Sequence, residues 1–134
     1  MEETLKIQGW VASGVGQGAQ FLGLDWVQRE LRRHLALAPF PGTLNLRVAA
    51  EARDAVFARR ENFLRIADPA SPDCPGYLKK VILRANGRTC ASAYLILPER
   101  TMYKDVLEVI SAYPLRERLG LKDGDPVEVQ TYPD

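Results

Sequence analysis

YLKKVILRANGRTCASAYLIL, residues 77–97, sets two apolar-rich stretches on either side of Asn86-Gly87. A two-residue hairpin turn needs positive φ at its centre, and Asn-Gly supplies it while matching the twist of the flanking strands. Strands are therefore predicted over 77–84 and 88–97. Working upstream, Thr43-Leu44-Asn45-Leu46-Arg47-Val48 alternates strictly. Leu44, Leu46 and Val48 face one way and Thr43, Asn45 and Arg47 the other, because side chains switch face at every strand residue. Residues 4–12 alternate too, with Leu5, Ile7, Gly9 and Val11 opposed to Lys6, Gln8 and Trp10. Downstream, residues 106–110 are apolar and fit a strand or a short helix. Asp123-Gly124 turns the chain into a last strand in which Val127 and Val129 share a face.

Little of the remainder is helical. Val27, Leu31 and Leu35 recur at four-residue spacing, which predicts a helix over about 26–37. Asp25 is its expected N-cap, with Gln28 completing a capping box. Arg29, Arg32 and Arg33 fall off the apolar stripe and read as a solvated face. Ala38-Pro39-Phe40-Pro41-Gly42 stops this helix. A short helix fits 50–60, and a turn begun by Pro114 ends at Gly120. Residues 67–76 carry three prolines and a glycine and read as a loop. Short strands, tight turns and one or two short helices make a mainly β chain, folded as a compact β-barrel. No linker, repeat or low-complexity tract divides it, so residues 1–134 read as one domain.

Composition narrows the function. Formal net charge is +1, whereas a general nucleic-acid surface needs a marked basic excess. Cys74 and Cys90 have no CxxC spacing and no His partner, so they read as free thiols in a reducing compartment. The N-terminal MEETLKIQGW lacks the basic and apolar regions of a signal peptide. No run of 18 apolar residues could span a bilayer. The expectation is a cytoplasmic monomer with neither membrane nor nucleic acid as partner.

Three places carry candidate chemistry. Gly14, Gly16 and Gly18 allow positive φ and close backbone approach, and successive N–H groups there can form an anion nest. The loop is no P-loop, since no Lys-Ser/Thr follows at the right spacing. It is no dinucleotide fingerprint either, since position 19 is Ala. Thr43 and Asn45 place two hard oxygens on one strand face, which suits Mg²⁺ if the metal arrives already bound to phosphates. Glu108 lies among Val106, Leu107, Val109 and Ile110, either on a solvated face or as a buried acceptor for hydroxyl donors. His34, the lone histidine, reads as structural or solvated, and no Ser-His-Asp or Cys-His set is apparent.

Taken in order, Gly9, Ser13-Gly14-Val15-Gly16-Gln17-Gly18, Pro39-Phe40-Pro41-Gly42-Thr43-Leu44-Asn45-Leu46, Leu107-Glu108-Val109-Ile110, Leu115-Arg116-Glu117 and Leu121-Lys122-Asp123-Gly124-Asp125 resemble the archaeal-type CTP-dependent riboflavin kinases. The resemblance runs from about residue 5 to about residue 130, and the PFPGTLNL string is its most telling part. It implies a six-stranded cradle-loop β-barrel. It implies transfer of the γ-phosphoryl of CTP to the riboflavin 5′-hydroxyl, giving FMN and CDP. The backbone of Gly14, Val15, Gly16, Gln17, Gly18 and Ala19 would then hold the nucleotide phosphates. Thr43 and Asn45 would coordinate Mg²⁺ or another divalent cation. Thr101 and Glu108 would contact the flavin, with Glu108 orienting or deprotonating its hydroxyl. Tyr113, Pro114, Leu115 and Arg116 would form the other nucleotide wall and select cytosine. Some members carry an N-terminal helix-turn-helix domain, which is not expected in this chain, as it starts at the barrel. Two other readings remain open: a non-catalytic barrel binding a nucleotide or flavin, and a DNA-binding β-hairpin protein like the swapped-hairpin transcription factors that 115–129 also resembles.

Overall fold

The computed structural model describes residues 4–16, 18–101 and 103–133. The elements run β1 (Lys6–Ala12), α1 (Gly18–Leu22), α2 (Asp25–Leu35), β2 (Leu44–Arg47), α3 (Ala50–Phe57), a 3-10 turn (Arg60–Asn62), β3 (Leu64–Asp68), β4 (Ser71–Ala85), β5 (Arg88–Pro98), β6 (Val106–Ser111), α4 (Leu115–Leu119) and β7 (Pro126–Thr131). The sheet order is β3-β4-β5-β6-β2-β1-β7, and β7 also pairs with β4. Strands β4, β5, β6, β2, β1 and β7 thus close a six-stranded antiparallel barrel. β4 is long enough to serve two partners along one edge. Its first half pairs with β3, and Val81–Arg84 pairs with β7. The Asn86-Gly87 turn joins β4 to β5 with φ of 53° and 71°, the positive values that this turn needs.

Strand alternation sorts the apolar side chains into two cores. Ile7, Val11, Leu44, Leu46, Leu107, Val109, Val127 and Val129 fill the barrel interior. Leu22, Val27, Leu31, Ile66, Ile96 and Ile110 form a second core, where α1, α2 and β3 cover the outer face of the wall. Every residue of β6 is buried: its inward residues meet the barrel core, Ile110 lies in the second core, and Val106 and Glu108 lie on the side of Arg53 of α3. Residues 106–110 are therefore strand rather than helix.

Two local expectations are corrected. Residues 67–76 are mostly strand rather than loop. The β3–β4 ladder slips between Ile66 and Asp68, and Pro72 and Pro75 fall in β4 where no ladder partner faces them; proline is tolerated at such irregularities because no N–H is needed there. Asp25 is also not the cap of α2. Leu24 occupies that position without a side-chain hydrogen bond, and Gln28 Nε2 donates to the Leu22 carbonyl at 2.5 Å. Asp25 lies in the first turn, where its charge favours the helix dipole. The helix ends at Leu35, as Ala36 turns left-handed at φ 50°.

Candidate active site

β2 pairs with β6 so that Asn45 lies opposite Glu108, and β6 pairs with β5 so that Glu108 lies opposite Ile96. Asn45, Glu108 and Ile96 thus form one row across the outer wall, while Leu44, Leu46, Leu107 and Val109 point inward. Thr43 and Asn45 share a face as predicted, and Thr43 Oγ1 donates to Asn45 Oδ1 at 2.6 Å. Asn45 Nδ2 in turn donates to the Val15 carbonyl, which ties the glycine loop down onto β2. Glu108 is buried, with 6% of its surface exposed, so it does not lie on a solvated face.

The glycines have separate reasons. Gly14 has φ 72° and open space around it, so backbone conformation alone requires glycine there. Gly16 has φ 93°, and a Cβ on it would lie 1.9 Å from Glu108 Oε1. A Cβ on Gly18 would lie 2.7 Å from both Glu108 Oε2 and Thr43 Cγ2. The loop therefore presses on the Glu108 carboxylate and on Thr43. Gln17 lies outside the described residues, and Gly18 and Ala19 begin α1.

Two concavities flank this seam. A cavity of about 270 Å³ is lined on one side by Phe40 to Leu44 and on the other by Val109, Ser111 and Tyr113 to Glu117. It gathers Thr43 with Tyr113, Pro114, Leu115 and Arg116. Phe40 and Tyr113 are exposed at 47% and 41%, an apolar rim suited to a flat ring. The Arg118 guanidinium lies 3.9 Å over the Tyr113 ring and holds it in place. Ser111 anchors both sides: its carbonyl accepts from the Phe40 N–H at 2.7 Å, and its hydroxyl accepts from the Tyr113 N–H at 3.3 Å. The other concavity is a narrow cleft lined by Arg53, Pro98, Thr101, Tyr103, Val106 and Glu108. Thr101 and Glu108, paired in the sequence reading, do share one wall. Thr43 borders the first cavity and Glu108 the second, so the two meet beneath the glycine loop.

Arg116 has a structural task as well. Its Nη2 donates to Ser13 Oγ at 2.8 Å and to Asp123 Oδ1 at 3.0 Å, while Ser13 Oγ donates to the same Asp123 oxygen at 2.7 Å. The start of the glycine loop is thereby clamped to the turn before β7. The hydrogen bond from Ser13, followed by that from Arg116, holds the Asp123 carboxyl below the usual aspartate value. Sequence reasoning missed Ser13 and Asp123 as a clamp, since their contact exists only once β1 and β7 pair. It also missed Arg53, one of several arginines in a segment with no motif, and Ser111, whose anchoring depends on the fold. Phe40 stood in view within PFPG, as part of a helix stop and of the family string, but was given no place in the site.

Thr43 Oγ1 and Asn45 Oδ1 are hard, uncharged oxygens on one strand face, joined by a hydrogen bond, and hard oxygens are the donors that a small hard cation prefers. They fit such a metal. Among the described residues no group of three or more His, Cys, Asp and Glu side chains could hold one alone, so most of its ligands would come with a bound phosphate.

The site is thus a polar seam beneath a glycine loop on the wall of a closed barrel, flanked by two concavities. Residues 11–131 match the family model CTP-dep_RFKase, described as "Domain of unknown function DUF120". The chain is 42% identical over 134 residues to a protein named riboflavin kinase from Archaeoglobus fulgidus, covering 96% of this chain and 55% of that protein. It is 34% identical to a riboflavin kinase of Sulfurisphaera tokodaii, with 96% of each chain covered, and 36% identical to one of Pyrobaculum islandicum, covering 61% of it. The chain belongs to the riboflavin kinase family that this model describes. It spans little more than half the length of the Archaeoglobus relative.

Proposed function

We propose that the chain is a CTP-dependent riboflavin kinase, transferring the γ-phosphoryl of CTP to the riboflavin 5′-hydroxyl to give FMN and CDP. The observation that carries this reading is the seam: Thr43, Asn45 and Glu108 lie together under the glycine loop, where the larger cavity meets the narrow cleft. Such a junction suits donor phosphates on one side and an acceptor hydroxyl on the other. The name of the family model, CTP-dep_RFKase, supports CTP as donor, and the relatives' names support riboflavin as acceptor.

The residues divide the work. The backbone of Gly14 to Ala19 donates N–H groups to the phosphates. Tyr113 to Arg116 wall the base, with Phe40 opposite. Thr43 and Asn45 hold a divalent cation, Mg²⁺ or a similar hard ion, which when bound neutralises phosphate charge. Thr101 and Glu108 hold the ribityl end of the flavin. Phosphoryl transfer needs alignment and charge neutralisation more than covalent help, and N–H groups fixed in advance give both without rearranging. Buried Glu108 accepts from the attacking hydroxyl and aims its oxygen across the seam. A binding-only barrel would have no use for paired oxygens beside a buried carboxylate. Two thiols, one exposed at Cys74 and one buried at Cys90, suit a reducing cytoplasm, and the proposal includes that location and a monomeric state.

Incubation with riboflavin and each of the four nucleoside triphosphates, with FMN read by chromatography, tests this. CTP should exceed ATP by at least about tenfold in kcat/KM, or about 1.4 kcal/mol. Equal rates would remove the donor assignment, and no FMN with any donor would remove the kinase.

A further inference from the structure

Arg53 stands on α3 with only 5% of its surface exposed. Its guanidinium lies 5.2 Å from the centre of the Phe57 ring, which Arg60 also covers at 4.4 Å. It lines the same narrow cleft as Thr101, Tyr103 and Glu108. Its Nε–H is buried and has no hydrogen-bond acceptor among the described residues. Buried donors are almost always paired, and an unpaired one calls for an explanation. Burial pushes the guanidinium down from its usual value, while the charges of Asp54 and Glu108 raise it. Arginine stays protonated through such shifts, so the cleft holds a fixed cation with a spare donor.

The cleft's contents change charge during the proposed reaction. Riboflavin's ribityl end is neutral, whereas a phosphate monoester carries close to two negative charges at neutral pH. That phosphate would form beside the Glu108 carboxylate, and like charges in a buried site repel strongly. A cation on the same wall offsets this repulsion, and its free N–H can serve the new oxygens.

We propose that Arg53 is a further substrate-contacting residue of the cleft, whose Nε–H donates to the phosphoryl group as it arrives on the flavin, so that the cleft grips FMN more tightly than riboflavin. This rests on reading the cleft as the acceptor site. As the bond from phosphorus to the 5′-oxygen forms, the bond to the CDP oxygen breaks, and the hydroxyl proton passes to Glu108 or to water. Arg53 exchanges no proton in this step. It meets charge that grows on the acceptor side, so it acts on turnover and product hold rather than on riboflavin capture.

The test uses the intact chain, titrated separately with riboflavin and FMN by flavin fluorescence, and compares Arg53→Met and Arg53→Lys. Methionine keeps the apolar stem over Phe57 and removes the charge. For Arg53→Met, FMN affinity should fall by at least about tenfold while riboflavin affinity changes less than about threefold. Its kcat should fall with the KM for riboflavin held, and Arg53→Lys, which keeps the charge, should recover part of the FMN affinity. Loss of affinity for both flavins alike, or for neither, overturns the assignment. If Arg53→Met does not fold, Arg53→Lys with unaltered FMN affinity and kcat does so. A wild-type chain that binds neither flavin overturns the acceptor reading itself, before any variant is compared.

Discussion

Gly16→Ala probes the contact between the glycine loop and the carboxylate beneath it. Two costs are separable. The backbone holds φ 93° at Gly16, a conformation that costs an L-residue about 1–2 kcal/mol. The added Cβ would stand 1.9 Å from Glu108 Oε1, where ordinary contact needs 3.4 Å or more. Glu108 cannot simply swing aside, because it is buried and its other oxygen faces Gly18 and Thr43. Forcing it off its rotamer adds about 0.5–1.5 kcal/mol. Gly16→Ala should therefore destabilise by about 2–3 kcal/mol in urea unfolding, and FMN formation should fall by about a hundredfold as loop and carboxylate lose alignment. A double-mutant cycle isolates the contact. In Glu108→Ala the obstruction is gone, so Gly16→Ala should cost only its backbone component, with coupling of about 1 kcal/mol. Coupling below about 0.3 kcal/mol would refute the reasoning, because separate sites add within that margin.

Thr43→Val and Asn45→Leu should each cut turnover by about a hundredfold, or about 2.7 kcal/mol. The double variant should be little worse than either, since one broken member spoils a shared site; singles with near wild-type rates would leave the pair as strand decoration. Asn45→Leu should also lower the melting temperature more than Thr43→Val, because it alone removes the bond to the Val15 carbonyl. Asp123 supplies a pH prediction. Its carboxyl is held low when folded, so its contribution is present above the unfolded value of about 3.9 and is lost as pH falls through the folded value. Melting curves of Asp123→Asn should thus show a shallower acid decline below about pH 4 than wild type; identical slopes would remove the Ser13–Asp123–Arg116 clamp from the stability of the loop.

The β character was legible because it is local. Asn86-Gly87 and the alternation of 43–48 are governed by neighbouring residues, and the hairpin and the single strand both formed as read. The slip that admits Pro72 and Pro75 into β4 was not, since proline content speaks for a loop until β3 is there to pair with. The identity of Leu24 rather than Asp25 at the start of α2 likewise depends on how α1 delivers the chain. Within the site, Thr43 and Asn45 were readable from strand period alone. Glu108 was left between two readings because its surroundings are set by the glycine loop, the start of α1 and Arg53 of α3, all far from it in sequence. Arg53 carried no signal at all: an arginine becomes unusual only when the fold hides it beside a carboxylate.

Barrel closure depends on β7, which pairs with β1 along one edge and with β4 along the other. Lys6 meets Gln130, so the seam joins segments far apart in the sequence. On the ribosome, residues 6–111 therefore emerge with two unfilled strand edges and remain an open sheet until the last strand follows. At elongation speeds of about 5–20 residues per second that interval is on the order of a few seconds. During it the exposed edges of β1 and β4 offer free N–H and C=O groups to any other strand. The barrel is thus completed only once residue 131 has been made, and a nascent chain lacking β7 is a candidate for chaperone capture.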